Sequence, residues 1–460
     1  MRLAASPALR TALSALAAGA LVFLSGCGGH EARTLRMRTA LDEGRPKSAI
    51  AAINEELEVA SSKEQPKEVV GDNALLLLDR ASIQQSLLAF EDSKRDFQTA
   101  DKAIDMLDLS KSSLDAIATW IFSDAAGKYV APPYEKLLIN ALNMLNYLET
   151  GDLSGAKVEA RRLAVMTRYL KDTLHETDNA MVALGGILAG FTFEKSGEVD
   201  EALRYYDEAL AFGSYPSLAP PVRELLARGS YRSPRLEALA RAMPEPRPED
   251  ADMADVLVVI GHGRVPHKIA ERIPIGLALT LASGHVHPGD AAAANKLALQ
   301  GLVTWINFPK LAPGQGAYST PTCQVDGQFV ELSQAADVSR EVRKAWERIE
   351  GRVIASAITR AVARYAAGSA VGAVGSAAGG KGSGEALGTV LSLFTQAALT
   401  AADTPDTRSW ETLPARVVFA RLRLPPGRHV VGLGARGWGR NQEIVLEKGG
   451  FKVVSLMALN

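Results

Sequence analysis

A helical N-terminal half followed by an α+β C-terminal domain with a largely antiparallel sheet is the architecture the sequence predicts, and three observations predict it. From about residue 32 to 240 apolar residues recur at helical spacing, with Gly and Pro at the boundaries and almost no alternating β-branched runs. Between 241 and 252 the composition changes, and Met243-Pro244-Glu245-Pro246-Arg247-Pro248-Glu249-Asp250 sets three prolines among charges, which reads as an extended, solvated linker. Beyond it, Val256-Leu257-Val258-Val259-Ile260 is a continuous, mostly β-branched apolar run, as a central strand requires. A length of 460 residues fits two or three domains. The balance of 51 Lys+Arg against 52 Asp+Glu excludes the long-range basic field of a nucleic-acid binder. The 47% hydrophobic content excludes a mostly disordered chain, and two cysteines exclude a disulfide framework.

The first element is a leader. Arg2 and Arg10 form a positive region, Leu13 to Leu24 an apolar one of secretory length, and the flank then turns small. It is too short and too rich in Ala and Gly to span a membrane. Leu24-Ser25-Gly26-Cys27 follows and resembles a bacterial lipobox, the Leu-Ser/Ala-Gly/Ala-Cys pattern of lipoprotein precursors. That resemblance implies removal of residues 1–26, acylation of Cys27 and, with three acyl chains, a permanent anchor. Gly28 stands where an Asp would imply inner-membrane retention, so the resemblance implies the outer membrane. The remaining thiol, Cys323, is expected to be buried.

Residues 27–240 are then expected to form helical hairpins. The clearest runs from Ala189 to Leu210, where Gly190 permits close approach of two helices, Phe193 fills the space between them and Gly197 makes the turn. Ala202, Tyr206 and Ala209, four and three residues apart, share one helix face. This resembles a tetratricopeptide (TPR) repeat. Tyr147, Gly151 and Ala156 occupy the corresponding places in a second copy, and Gly44, Ala49 and Ile53, then Ser93, Phe97 and Ala100, suggest two more. The central residues Ala49, Ser93, Ala156 and Ala202 are spaced unevenly and more widely than the about 34 residues of a regular array, so the repeats are degenerate. An ordinary helical bundle with Gly turns is the alternative.

In the second domain, 253–460, further strands are expected at 303–309 and 328–332, then helix from Gln334 to about Ala367 with Arg343, Arg352, Arg360 and Arg364 on a solvated face. A loop rich in Ala and Gly and a helix over Glu385–Ala401 come next. Strands over 416–422, 429–433, 443–447 and 451–457 read as an antiparallel meander closing the domain. The uncharged stretch Tyr365–Gly380, lined by Gly368, Gly372, Gly375 and Gly379, suits a loop or a tight helix contact better than a membrane span.

Four constellations in the second half have the residue types for chemistry. Val259-Ile260-Gly261-His262-Gly263 has the form of a hydrolase strand and oxyanion turn, but no Gly-x-Ser-x-Gly elbow exists in the chain. Gly375 to Gly382 misses a phosphate-binding loop because Gly382 replaces the magnesium-binding Ser or Thr. Gly432-Leu433-Gly434-Ala435-Arg436-Gly437 matches the dinucleotide fingerprint yet lies between two strands, where a hairpin turn explains it. His262, His267, His285 and His287, with Asp290 nearby, offer imidazoles for a metal, but Gly and Pro around the 285–287 pair favour an exposed loop. No cofactor, nucleotide or nucleic acid is therefore expected.

The most specific stretch is Asp403-Thr404-Pro405-Asp406-Thr407-Arg408-Ser409-Trp410-Glu411-Thr412-Leu413-Pro414, followed by Arg421-Leu422-Arg423-Leu424-Pro425-Pro426-Gly427. It resembles a family of uncharacterised bacterial lipoproteins that join a TPR-like half to a domain carrying Asp-Thr-Arg-Ser-Trp-x-Thr-Leu-Pro. Physically, Asp406 can cap the turn and pair with Arg408, Trp410 can bury its ring, and Pro414 can start an edge strand. Arg408 and Trp410 are candidate ligand or peptidoglycan contacts; a structural corner is the preferred account. The functional expectation is a non-enzymatic, outer-membrane-anchored periplasmic lipoprotein that binds an envelope protein partner. The alternative is an envelope hydrolase or metal-dependent enzyme with a site near His262, His285 and His287.

Overall fold

The computed structural model describes residues 29–70, 72–104, 129, 131–172, 179–242, 252–300, 305–378 and 405–460, with backbone only over 367–378. The leader with Cys27, most of the Pro-rich linker and the helix expected over 385–401 lie outside these residues.

The N-terminal half is helical, with α1 (His30–Asp42), α2 (Pro46–Glu56), α3 (Asn73–Ser86), α4 (Phe90–Ala103), α5 (Pro133–Glu149), α6 (Leu153–Asp172), α7 (Met181–Lys195), α8 (Val199–Leu210), α9 (Ala219–Arg228) and α10 (Pro234–Arg241). The first eight pack as consecutive antiparallel pairs. Where a helix is apolar on one side it buries one side: α8 buries Ala202, Leu203, Tyr205, Tyr206, Asp207 and Ala209. Met181–Phe193 of α7 is almost wholly apolar and is buried all round, and Ala74–Gln85 of α3 is likewise enclosed. These two helices need cover on every side, and part of that cover comes from the second half.

There β1 (Ala254–His262) pairs antiparallel with β7 (Arg416–Leu424) and parallel with β10 (Phe451–Ala458), and β6 (Ser333–Asp337) adds to β7. A second, antiparallel sheet has the order β5 (Gln328–Phe329), β4 (Thr322–Val325), β8 (Gly427–Ala435), β9 (Trp438–Leu446). The period of two divides β1 between two cores. Val256, Val258 and Ile260, with Val418 and Ala420, pack on Cys323, Val325, Val431, Leu433, Ile444 and Leu446 of the second sheet. Leu257 and Val259, with Val417, Phe419, Val453 and Met457, face the other way and join the helical half in one continuous core. A third cluster is built by β2 (Lys268–Pro274), α11 (Ile275–Leu281), α12 (Pro288–Leu299), β3 (Trp305–Leu311) and the first turns of α14 (Glu350–Ala378).

Four expectations are corrected. Residues 333–337 are strand rather than helix; the free side of β7 supplies a ladder that local propensity does not, with an irregularity between Gln334 and Ala336. Helix starts at α13 (Val338–Glu347), where the Asp337 carboxylate accepts the Arg340 N–H at 3.0 Å. The last four strands form no single meander, because β7 and β10 flank β1 while β8 and β9 pair in the other sheet. For the same reason Pro414 leads into a central strand, not an edge. The third strand expected at 328–332 shrinks to two residues beside β4, which carries Cys323; there burial in the sandwich pushes the thiol up to about 11. The Gly-rich stretch at 432–437 is the β8–β9 hairpin, with Arg436 and Gly437 both left-handed in a two-residue turn. No helix among the described residues is long and apolar enough to cross a membrane.

Candidate functional site

Several residues of the two hairpins lie at turns or inside the helical core. Gly151 and Gly197 make their turns with φ of 76° and 79°, a region that disfavours side chains. Ala156, Ala202, Tyr206 and Ala209 are fully buried. Phe193 stacks on Tyr205 at 5.3 Å, and the Tyr206 ring lies so close over Gly190 that a Cβ there would be 2.5 Å from it. In the second hairpin the Tyr147 ring covers Gly155 in the same way.

Tyr206 also reaches out of its hairpin. Its hydroxyl donates to Glu194 at 2.8 Å and accepts from Arg421 of β7 at 2.8 Å. Arg421 is fully enclosed, forks onto both Glu194 oxygens at 2.5 and 2.7 Å, lies 2.9 Å from Asp255 of β1 and sits over the Phe191 ring. Burial alone would raise the Glu194 carboxyl, but the Arg421 charge and hydrogen bonds, with Lys195, hold it at about 2. Lys195 also bonds Asp255.

The second junction is segment 405–414, which enters the helical half. Asp406 accepts the Arg408 N–H at 3.0 Å and holds its guanidinium at 2.9 and 2.8 Å, the turn its sequence foretells. Arg408 is 3% exposed and Trp410 1%. The Trp410 indole packs edge-on against Phe97 at 5.8 Å, and its N–H donates to Ser82 at 3.2 Å and Thr412 at 3.3 Å. These two residues are thus inside the protein, which corrects their reading as ligand contacts.

Around them lies a set of buried ionisable groups. One oxygen of Asp79, on α3, accepts the N–H of Glu411 (3.1 Å), the N–H of Thr412 (3.0 Å) and the Thr412 hydroxyl (2.8 Å). Its other oxygen is buried without a hydrogen-bond partner. Burial and the neighbouring Glu411 push the Asp79 carboxyl up to about 7. Glu135, on α5, accepts the Trp410 N–H at 3.3 Å and the Tyr129 hydroxyl at 2.7 Å, and burial pushes it to about 7 as well. Glu411 is held by Arg38 at 2.9 and 2.8 Å and by Thr34 at 3.0 Å. His30, two residues into the described chain, is buried with Nδ1 3.3 Å from Asp72 and Nε2 3.2 Å from the Ser409 carbonyl. Burial lowers its affinity for a proton, but the Asp72 bond and the charges of Glu411, Asp72 and Asp79 outweigh this and raise it.

Carboxyls raised towards neutrality are what acid–base catalysis uses. Here, however, Asp79 and Glu135 are engaged by backbone N–H groups of 410–412, so the geometry suits clamping. A cleft of about 220 Å³ lined by Gly29, Glu31, Leu35, Arg38, Ala270 and Thr407 lies beside the set, at the start of the described chain.

The imidazoles of the alternative reading do not converge. His262 ends β1, with Nδ1 2.9 Å from the Ser319 hydroxyl and 3.3 Å from the Gly316 carbonyl. Burial lowers its pKa, as do Arg416 and Arg436. His287 caps α12, accepting the Gly289 N–H at 3.2 Å, and His285 packs beside Gly351 at the start of α14. Among the described residues no three His, Cys, Asp or Glu side chains gather as a metal site, which corrects a shared centre at 262, 285 and 287.

Sequence reasoning missed His30, Asp79, Glu135, Glu194 and Glu411. Only Glu411 carried a signal, its place inside the signature; Asp79, Glu135 and Glu194 each stand beside a basic neighbour, Arg80, Lys136 and Lys195, and His30 stands among the charges of α1, as solvated residues also do. Set against protein-family models, curated proteins and solved structures, the chain finds no match.

Proposed function

We propose that the protein is an outer-membrane lipoprotein, acylated at Cys27, whose TPR-like helical half binds a protein partner in the periplasm. The lipobox Leu24-Ser25-Gly26-Cys27 supports the anchor. The observation that carries the binding reading is the outer face of α6. Val158 and Val165 are 46% and 55% exposed, and Arg161 and Arg168 are exposed at the same seven-residue spacing. Two solvated valines flanked by arginines two turns apart make an apolar and basic stripe, suited to an acidic, partly apolar helix or strand. The buried clamps at Arg421 and 405–414 support a scaffold reading as well, because they keep that face on a single stiff body.

The test is cross-linking in envelopes, comparing the unaltered chain with Val158→Asp/Val165→Asp and Arg161→Glu/Arg168→Glu. Loss of the same cross-linked species in both variants, with folding intact, supports the reading; an unchanged pattern overturns it. For the anchor, Cys27→Ser is expected to abolish acyl labelling and release the protein from membranes, and continued membrane association after leader removal refutes it.

A further inference from the structure

The second sheet ends on a strand with an open side. β9 is its last strand, nine residues long, and its register with β8 runs unbroken from Gly427 opposite Leu446 to Ala435 opposite Trp438. Strand edges are ordinarily closed by proline, lysine, a bulge, shortness or a covering element. β9 contains no Pro, Lys or bulge, and the elements packed on it are β8 and β10. Its inward charge, Arg440, is engaged by Glu149 at 2.7 Å and by the Ser455 carbonyl at 2.6 Å. The other described edges differ. β5 and β6 are short, β3 carries Pro309, the Lys268 and Ala270 N–H groups of β2 go to Ser409 and Glu31, and the Ser455 N–H of β10 goes to Glu149.

The two-residue turn at Arg436 and Gly437 fixes which residues face the open side. In such a hairpin the flanking pair, Ala435 and Trp438, is hydrogen-bonded, and unbonded and bonded pairs then alternate along the strands. Gly439, Asn441, Glu443 and Val445 therefore turn their backbone N–H and C=O away from β8, and all four are exposed. Val430, opposite Glu443, exchanges its N–H and carbonyl with Asp326 on its far side at 2.9 and 3.0 Å, as this phase requires. Between the outward residues, on the inner face, stands Gln442, whose Oε1 is buried without a hydrogen-bond partner. An unmet acceptor of this kind marks a place where a donor is wanted.

This edge is complementary to itself. Laid antiparallel on a second copy about a two-fold axis at Gln442, β9 pairs over its whole length from Trp438 to Leu446. Outward residues then meet outward residues, Asn441 opposite Glu443 and Gly439 opposite Val445, with about eight backbone hydrogen bonds between the copies. Gln442 meets its own copy in an unbonded pair, where side chains lie closest, and each amide can donate to the other's unmet oxygen. Arg428 already neutralises Glu443 at 2.8 Å, so the two copies bring no net repulsion and the Asn441 amide can donate to that carboxylate. We propose that the protein forms a two-fold dimer through an antiparallel β9–β9 ladder, which joins the four-stranded sheets of two copies into one continuous sheet. The proposal goes beyond the anchored, partner-binding reading and does not depend on it.

The experiment uses residues 28–460, which contain every described element and no acylation site. Sedimentation equilibrium at micromolar concentration is expected to give twice the mass of the chain. Under oxidation Gln442→Cys should link two copies across the axis, where the Cα atoms of an unbonded pair stand about 4.5 Å apart. Val445→Cys, roughly 20 Å from its own copy in this register, should not, and the native Cys323 is buried. Asn441→Pro removes an outward N–H and no bond to β8, so it should keep the fold and give single chains. Asn441→Asp sets a second carboxylate opposite Glu443 and should weaken dimerisation about tenfold, and adding Glu443→Gln should restore it. That reversal keeps the test valid should the proline variant fail to fold. Single chains throughout the micromolar range overturn the proposal, as does a dimer that the folded variants at 441 leave unchanged, or one linked through Val445→Cys and not Gln442→Cys. Slow hydrogen exchange at 439, 441, 443 and 445 in single chains also overturns it, and would assign the edge to cover by the chain's own remaining residues.

Discussion

Replacing Asp79 by Asn should change how stability depends on pH more than it changes stability itself. A carboxyl whose folded pKa is raised contributes stability that is complete below its unfolded value and is lost as pH rises through its folded value. For Asp79 that window runs from 3.8 to about 7, because burial and Glu411 disfavour its charge. Three decades of proton affinity set a ceiling of about 4 kcal/mol, and the coupling to Glu411 makes on the order of 1–3 kcal/mol the realistic loss between acid and mild alkali. Asn keeps the oxygen that accepts from Glu411, Thr412 and the Thr412 hydroxyl and carries no charge to lose. Its amide nitrogen would replace an oxygen without a partner, a penalty that is the same at every pH and cancels in the comparison. Denaturant unfolding of both proteins at about pH 5 and about pH 8.5 measures it: the variant should gain on the parent by on the order of 1–3 kcal/mol at the higher pH. An equal difference at both pH values, or a gain at the lower one, would refute the argument.

Trp410→Ala empties an enclosed site shared by both halves and is expected to cost about 3–5 kcal/mol in denaturant unfolding, with Trp410→Phe milder because the Phe97 contact survives. Arg421→Met strands the buried Glu194 and Asp255 and should cost about 3–5 kcal/mol, and adding Glu194→Leu should recover part of it in a double-mutant cycle. Glu194, held at about 2, contributes stability that is complete above its unfolded value and lost as pH falls through about 2, opposite in sign to Asp79; Glu194→Gln should therefore weaken the protein at neutral pH and converge with the parent in strong acid. Gly190→Ala presses a methyl group into the Tyr206 ring and should lower stability by about 1–3 kcal/mol in thermal or denaturant melts.

What was legible in the sequence was what is local. The α5–α6 and α7–α8 hairpins follow from a turn glycine and small residues on one face, and β1 follows from five consecutive apolar residues that only a strand covered on both sides can bury. The Asp406–Arg408 turn is likewise written in adjacent residues. β6 was not legible, because Ser333-Gln334-Ala335-Ala336-Asp337 has little strand propensity and acquires its form from β7. Nor was the partnership of the halves, since Asp79 meets Thr412 and Glu194 meets Arg421 across hundreds of intervening residues. An Asp next to an Arg on a helix gives no sign of whether its partner is water, its neighbour or a distant backbone.

The parallel pairing of β1 with β10 has a consequence for how such a chain is made. β1 is the first strand of its sheet in chain order and β10 the last, with every other strand between them. Until β10 emerges, β1 has one open ladder, and Leu257 and Val259 lack the Val453 and Met457 side chains beside them. An apolar strand with an open edge invites pairing with another chain. A polypeptide emerging from its N-terminus exposes that edge from the completion of β1 until β10 follows, and loss of the last few residues would leave it exposed for good. Protection of that edge until β10 is made, and rapid clearance of C-terminally clipped copies, are the demands this topology places on the cell that makes it.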